Sequence, residues 1–267
     1  MAGSCMRKVS IWEVLFVPLF FLLIVYPILA IIGNVTIEGM IKTFDDPIFW
    51  DSVKNTLITA FFAALLGVLM ALGFGYFYIF HPGTIIYKIA DFMNDLPIAL
   101  PHTVAGLALL LAFGRNMFGF IGPTGLAFTL IAVVLAMFFV SYPLAARTIA
   151  SAAEEIDKEQ ISVARTLGDT PPKAYRRVVI PLLGEAIFSG FVLSFSRSIS
   201  EFAAVIMFGG NVPGMTQVLA SYVFTKVEEG EVSMAVTASA FCILLSLMLV
   251  IVLRLRGRLH ARSAESA

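Results

Sequence analysis

Arg197 and Glu201 stand four residues apart inside a long apolar stretch, a spacing that puts both on one face of a helix. Ionisable side chains in such surroundings are costly unless they pair or line a watery route. Two chemistries fit. A guanidinium can form paired hydrogen bonds to the oxygens of an anion. Alternatively, the two side chains neutralise each other and lock helices together. The charges favour this second reading, because Glu201 would repel an anion. A route that passes solutes also gains little from a deep well, since tight binding slows release. Ser196, Ser198, Ser200 and nearby backbone N–H groups offer weaker contacts, better suited to passage. His102, beside Pro101, either titrates on the same route or acts as a hydrogen-bonded structural histidine at a proline break, the commoner role.

The sequence offers no catalytic set and no metal site. Cys5 and Cys242 are far apart and form neither a disulfide framework nor a ligand pair. None of the three histidines has a cysteine or histidine at ligand spacing, and no nucleophile–base pair stands out. A net charge of zero argues against a nucleic-acid partner.

The elements that hold these residues must lie in a bilayer. The chain of 267 residues is 59% hydrophobic and 13% charged, against about 25% charged in an average soluble domain. Six stretches approach or exceed the roughly 20 apolar residues of a spanning helix: 11–33, 56–79, 96–113, 126–144, 178–208 and 234–253. The first is too long for a signal-peptide core and reads as an uncleaved anchor following Arg7 and Lys8. With the N-terminus inside, thirteen of eighteen Lys and Arg face the cytoplasm, and only Lys42, Lys54, Arg115 and Lys226 lie outside. Arg254, Arg256, Arg258 and Arg262 contribute to the inner excess, so both termini are expected in the cytoplasm. Trp12, Trp50, Tyr76 and Tyr78 fit interfacial anchors. Ala63, Gly67, Ala71 and Gly75 recur every fourth position, which lets helices approach closely, within the subunit or across a dimer. Pro143 and Pro181 are positions where a span can bend.

One inner segment is long, from about residue 145 to 177. Asp157 can cap a helix, with Gln160 completing a capping box, and Ile161, Ala164 and Leu167 are spaced to share its apolar face. Gly168 sits where a left-handed residue ends the helix. Thr170 can cap a second helix with Pro171 in its first turn, followed by Lys173, Arg176 and Arg177. The sequence thus predicts a helix–turn–helix under the membrane. It serves either to anchor the loop to lipid headgroups or to dock a cytoplasmic partner.

Ser162-Val163-Ala164-Arg165-Thr166-Leu167-Gly168, with Tyr175-Arg176-Arg177-Val178-Val179-Ile180-Pro181, resembles the EAA loop of ABC importer permeases. The Gly168-to-Pro181 spacing matches that pattern. Ser162 replaces the family's glutamate and Val163 its first alanine, and Glu159 is a candidate substitute acid. Residues 96–106 with Phe113-Gly114-Arg115 resemble the third span of molybdate and tungstate permeases. Residues 196–202 with 208–214 resemble the fifth span and outer loop of molybdate, tungstate and sulfate permeases. The resemblance covers about residues 50–250.

It implies an all-α integral membrane protein of about six transmembrane helices with a cytoplasmic coupling loop at about 145–181, and residues 1–267 forming one ABC transporter transmembrane domain. It further implies a plasma-membrane homodimer working by alternating access, with a cytoplasmic ABC ATPase dimer and an extracellular or periplasmic oxyanion-binding protein as partners. The docking residues would be Glu159, Ser162, Val163, Ala164, Arg165, Leu167, Gly168, Pro171, Arg176 and Pro181. The translocation path would involve His102, Ser196, Arg197, Ser200 and Glu201. The chain lacks a G-x-x-x-x-G-K-[ST] loop, so ATP and Mg²⁺ belong to the partner and the chain carries no cofactor and no enzymatic activity of its own. The competing reading, an ion-coupled secondary anion transporter, calls for internal repeats, and no clear one is visible.

Overall fold

The computed structural model describes residues 11–120 and 122–265. Cys5, Arg7 and Lys8 lie outside the described residues, as do the side chains of Trp12, Arg254, Arg256, Arg258 and Arg262. The described chain is helical and has no strand, only an isolated bridge between Gly114 and Gly125. In order the helices are α1 (Ile11–Phe20), α2 (Tyr26–Gly33), α3 (Ile37–Asp45), α4 (Pro47–Phe80), α5 (Ile85–Ala99), α6 (His102–Phe113), α7 (Arg115–Phe118), α8 (Leu130–Glu154), α9 (Lys158–Thr166), α10 (Pro171–Ala174), α11 (Ile180–Leu182), α12 (Gly184–Ile199), α13 (Ala203–Gly209), α14 (Leu219–Glu228) and α15 (Val232–Glu265). Single π turns, Phe21–Val25 and Tyr175–Val179, join α1 to α2 and α10 to α11.

Four continuous stretches among the described residues are long and apolar enough to cross a bilayer: Leu15–Gly33, Pro47–Phe80, Leu130–Glu154 and Val232–Val252. Two bent pairs bring the number to six. The expected third span, 96–113, is not one helix: α5 and α6 meet at 118°. Leu100 precedes Pro101, which disfavours helical backbone, and Leu100 is extended with ψ 138. The expected fifth span, 178–208, is also divided. Pro171–Leu182 and α12 meet at 72°, and the chain breaks again between Ile199 and Ala203. Helix α8, by contrast, runs unbroken through Pro143.

The second expected span, 56–79, is part of a longer helix. Pro47 occupies the first turn of α4, where its missing N–H costs nothing, and Asp46 Oδ1 accepts from Ile48 N at 2.9 Å. The cap lets α4 extend for 34 residues.

The centre is a bundle of α4, α8 and α12 packed through small residues. Ala60, Ala63, Ala64, Ala71, Ala136, Ala145 and Ala146 are fully buried. A Cβ on Gly67 would lie 3.3 Å from Ser194 Oγ, and one on Gly75 would lie 3.2 Å from the Tyr175 hydroxyl oxygen. The small-residue ladder of α4 therefore serves close packing within the subunit. Ser194 Oγ donates to Ser141 Oγ at 2.9 Å, which satisfies the polar groups buried there. Outward, Leu23, Phe62, Met70, Leu244 and Ile251 are more than half exposed. Water would not tolerate so broad an apolar exterior, whereas hydrocarbon does.

Candidate docking loop and intramembrane polar cluster

The inner loop begins later than its sequence suggests, because residues 145–154 continue α8. Asp157 caps α9, its Oδ1 accepting from Glu159 N at 2.9 Å. The expected capping box is absent: Gln160 contributes its backbone N–H to Asp157 O instead, at 3.2 Å. Gly168 adopts φ +93. Its N–H donates to Arg165 O, and Asp169 N–H donates to Ala164 O, both at 3.1 Å. This is a Schellman ending, the use of glycine that the spacing predicted. Thr170 makes no side-chain cap; Pro172 removes one of the two backbone donors, that of the second helical position, which such a cap uses.

Ile161 and Ala164 are each 8% exposed and face the bundle, but Leu167 is 82% exposed, against expectation. Each step of three residues falls about 60° short of a full turn, so two steps carry Leu167 well away from Ile161. Leu167 and Val163, which is also mostly exposed, instead form an apolar pair facing away from the bundle. Glu159, Arg176 and Pro181 are exposed, and Pro171 is half-buried. Ser162 Oγ donates to Lys158 O at 3.0 Å, so the residue at the family's glutamate position turns back on its own helix. Arg165 faces a cleft beside Phe80.

The loop is mounted firmly. The Tyr175 hydroxyl donates to Leu72 O at 2.6 Å, and its ring meets Tyr76 edge-on at 5.3 Å. Asp169 pairs with Lys173 at 2.8 Å and Arg177 at 3.3 Å. The hydrogen bond from Lys173, with the two positive charges, holds the Asp169 carboxyl below the usual carboxylate range despite some desolvation. One tie was not foreseen. Arg147, in the stretch expected as inner loop, lies in α8 and donates to Asp91 at 2.8 Å and to both Asp95 oxygens at 2.9 and 2.5 Å. The four-residue spacing of Asp91 and Asp95 was the available signal.

The second site joins two helix breaks. His102 begins α6, just past the Pro101 break, while Arg197 lies in the last turn of α12 and Glu201 in the break before α13. Arg197 Nη2 donates to Glu201 Oε2 at 2.9 Å, and His102 Nδ1 is 3.1 Å from the same oxygen. Nη2 also lies 2.9 and 3.0 Å from the two imidazole nitrogens. A proton on Nδ1 lets the ring donate to Glu201 while Nε2 accepts from Arg197. Glu201, only 1% exposed, accepts from Ala204 N through Oε1 at 3.0 Å and so starts α13. Arg197 Nη1 donates to Ser200 Oγ at 3.2 Å. His102, Arg197, Ser200 and Glu201 thus form one cluster. Ser196 is half-buried outside it. Ser198 is fully buried with an unpartnered hydroxyl.

Helix α6 reaches this cluster by packing tightly on α13: a Cβ on Gly106 would lie 2.7 Å from Met207 Cβ and 2.8 Å from Ala204 Cα. On the other side of the break, α4 holds the segment before α14. Asn55 Nδ2 donates to Met215 O and Gln217 O at 3.0 and 3.1 Å, and Leu219 N donates to Thr56 Oγ1 at 2.7 Å. No local pattern in the sequence pointed to these ties.

Residues 63–264 match the family of binding-protein-dependent transport system inner membrane components. The chain belongs to this family. The permease is 30% identical to the probable transport system permease protein NifC of Clostridium pasteurianum, across 96% of its own length and 93% of that protein. It is 33% identical to the sulfate transport system permease protein CysT of Salmonella typhimurium, across 76% of this chain and 77% of the relative. Its fold matches a chain in the crystal structure of a bacterial alginate ABC transporter in complex with an alginate pentasaccharide-bound periplasmic protein. That match has a TM-score of 0.73 at 16% identity and covers 90% of each chain. A chain of the MetNI methionine ABC transporter in an inward-facing conformation matches with a TM-score of 0.57 at 20% identity, over 85% of this chain and 99% of that one. The likenesses to solved structures concern the fold alone. The chain is therefore a multi-pass ABC importer permease subunit and not itself an enzyme, and its family favours ATP-driven import over ion-coupled transport.

Proposed function

We propose that two copies of this permease form the membrane path of an ATP-driven importer for a tetrahedral oxyanion, with both termini in the cytoplasm. The observation that carries the coupling is the exposed Val163–Leu167 pair on a helix capped at Asp157 and closed at Gly168. Such an apolar knob on a rigid mount suits insertion between the lobes of a cytoplasmic ATPase, where ATP and Mg²⁺ bind. Glu159 and Arg176 flank it with charge, and Pro171 and Pro181 fix the chain's return to the bilayer. ATP-driven closure of two ATPase subunits would pull both loops and switch the cavity between its two accessible states, a coupling free energy between separated sites. An external binding protein would deliver the anion to the outer loops.

In this account the His102–Arg197–Glu201 cluster holds two helix breaks together beside the path. Arg197 is answered by Glu201, so passage relies on weaker contacts, as the sequence reading favoured. The segment at 96–106 supports molybdate or tungstate as the substrate, while those at 196–202 and 208–214 fit molybdate, tungstate and sulfate alike. Similarity to sulfate permeases supports sulfate. Competition among labelled molybdate, tungstate and sulfate for ATP-dependent uptake tests both. Uptake of none of them contradicts the oxyanion assignment.

A further inference from the structure

The mounting of α9 creates a cleft that the outward Val163–Leu167 pair does not occupy. It lies between the end of α4 and α9, has a volume of about 430 Å³ and is lined by Ile79, Phe80, Lys158, Ile161, Ser162, Arg165 and Thr166. Lys158, Ser162 and Arg165 follow one another at spacings of four and three residues, so they share a face of α9. Val163 and Leu167 occupy a different one. The cleft is thus separate from the apolar docking knob.

Its chemistry is divided. Ile79, Phe80 and Ile161 supply its apolar lining. Lys158 and Arg165 supply two positive charges at the mouth. Neither lies within ion-pair distance of a carboxylate among the described residues, whereas Lys173 and Arg177 are both engaged by Asp169. An adjoining cavity of about 120 Å³ shares Ile79, Lys158 and Ile161 and includes Glu154, which places the more favourable potential for an anion at the Arg165 end. A small soluble anion would leave the apolar lining uncovered, and a neutral lipid would leave the cations unanswered. A molecule with an anionic head and a hydrocarbon tail answers both, and α4 emerges from the bilayer where such molecules are at hand. Basic pockets between helices on the cytoplasmic side are suited to anionic headgroups.

We propose that this cleft holds one anionic phospholipid, its phosphodiester on Lys158 and Arg165 and an acyl chain along Ile79 and Phe80. This rests on the reading of α9 as lying at the inner membrane surface. The lipid ties the coupling helix to the end of α4, so the headgroup composition of the inner leaflet bears directly on the element that moves with the ATPase.

The test is native mass spectrometry of the permease, with whatever subunits accompany it, from nanodiscs of phosphatidylglycerol or phosphatidylcholine. The expected result is retention of phosphatidylglycerol but not phosphatidylcholine. Lys158→Gln with Arg165→Gln should weaken retention about 30-fold, while the charge-keeping pair Lys158→Arg and Arg165→Lys retains the lipid. Replacing Val163 and Leu167 by serine should leave the lipid in place even as ATPase docking is lost, so failure of either proposal is seen separately. Equal retention of both lipids, undiminished retention by the Gln pair, or displacement by millimolar inorganic phosphate would each overturn the proposal, the last by assigning the cleft to a free anion.

Discussion

The Arg197 guanidinium donates to the Glu201 carboxylate over 2.9 Å, and that carboxylate is 1% exposed. A buried pair of this kind contributes little net stability when intact but is costly to break, because the survivor loses its counter-charge in poorly solvated surroundings. Arg197→Ala and Glu201→Ala should each destabilise the permease by about 3–5 kcal/mol, read as lowered melting temperatures in detergent. Replacing both by methionine should recover much of the loss. If Arg197 were chiefly an anion ligand, Arg197→Ala would leave melting unchanged and weaken only the apparent affinity for substrate.

Gly106 sets how closely α6 approaches α13. An alanine there must displace the Met207 side chain and the Ala204 backbone, and overpacking of this sort costs about 1–3 kcal/mol. Because α6 starts at His102, Gly106→Ala should also separate His102 from Glu201. Lower thermal stability with reduced uptake is the expected outcome. Gly73, which has open space around it, is the control, and Gly73→Ala should lower neither, alanine being the better helix former.

Gly168 ends α9 at φ +93, a conformation costing a non-glycine residue roughly 1–3 kcal/mol. A Cβ there would meet nothing within 4 Å, so the cost is backbone strain alone. Gly168→Val should weaken ATPase retention, measured by co-purification, while Gly168→Asn, which tolerates the left-handed region better, should retain more. Equal loss in both variants would point to a role for the glycine other than its φ.

Asp169 gives the loop a defined pH dependence. Its carboxyl is held low by Lys173 and Arg177, so its contribution is full above the ordinary carboxylate range. That contribution declines once the pH falls below about 4 and is gone below the depressed value itself. The melting-temperature advantage of wild type over Asp169→Asn should therefore be constant near neutrality and shrink on acidification. Added salt should reduce it wherever Asp169 is ionised, since Lys173 and Arg177 are both more than half exposed. An advantage that grew on acidification would contradict the assignment.

What the sequence made legible was local. Asp157 and Gly168 mark their helix because capping and positive φ depend on neighbours a few residues away. Pro101 marks a break because proline restricts the residue before it. The break at residues 200–202 has no proline. It arises because Glu201 starts a new helix while holding Arg197 and His102, and that meeting joins positions nearly a hundred residues apart. Leu167 was placed on the buried face by a three-residue spacing that drifts around a helix, and its chain position just before the turn swings it outward. Arg147 fell in the stretch expected as inner loop, but it lies in α8 and is met there by Asp91 and Asp95. The six apolar runs foretold membrane crossings but not the angles at which α5 meets α6 and α11 meets α12, because those angles depend on packing against other helices, α8 and α13 for α6 and α8 and α4 for α12.

The most direct test of the coupling claim is how much ATPase co-purifies with a tagged permease, compared between wild type and a variant with Val163 and Leu167 both changed to serine. Losing an interfacial anchor typically costs about 2 kcal/mol or more, which is roughly 30-fold in affinity. Wild type is expected to retain the ATPase, and the variant, still folded by its melting temperature, to retain little. Recovery of no ATPase with wild type, or undiminished recovery with the variant, would contradict it.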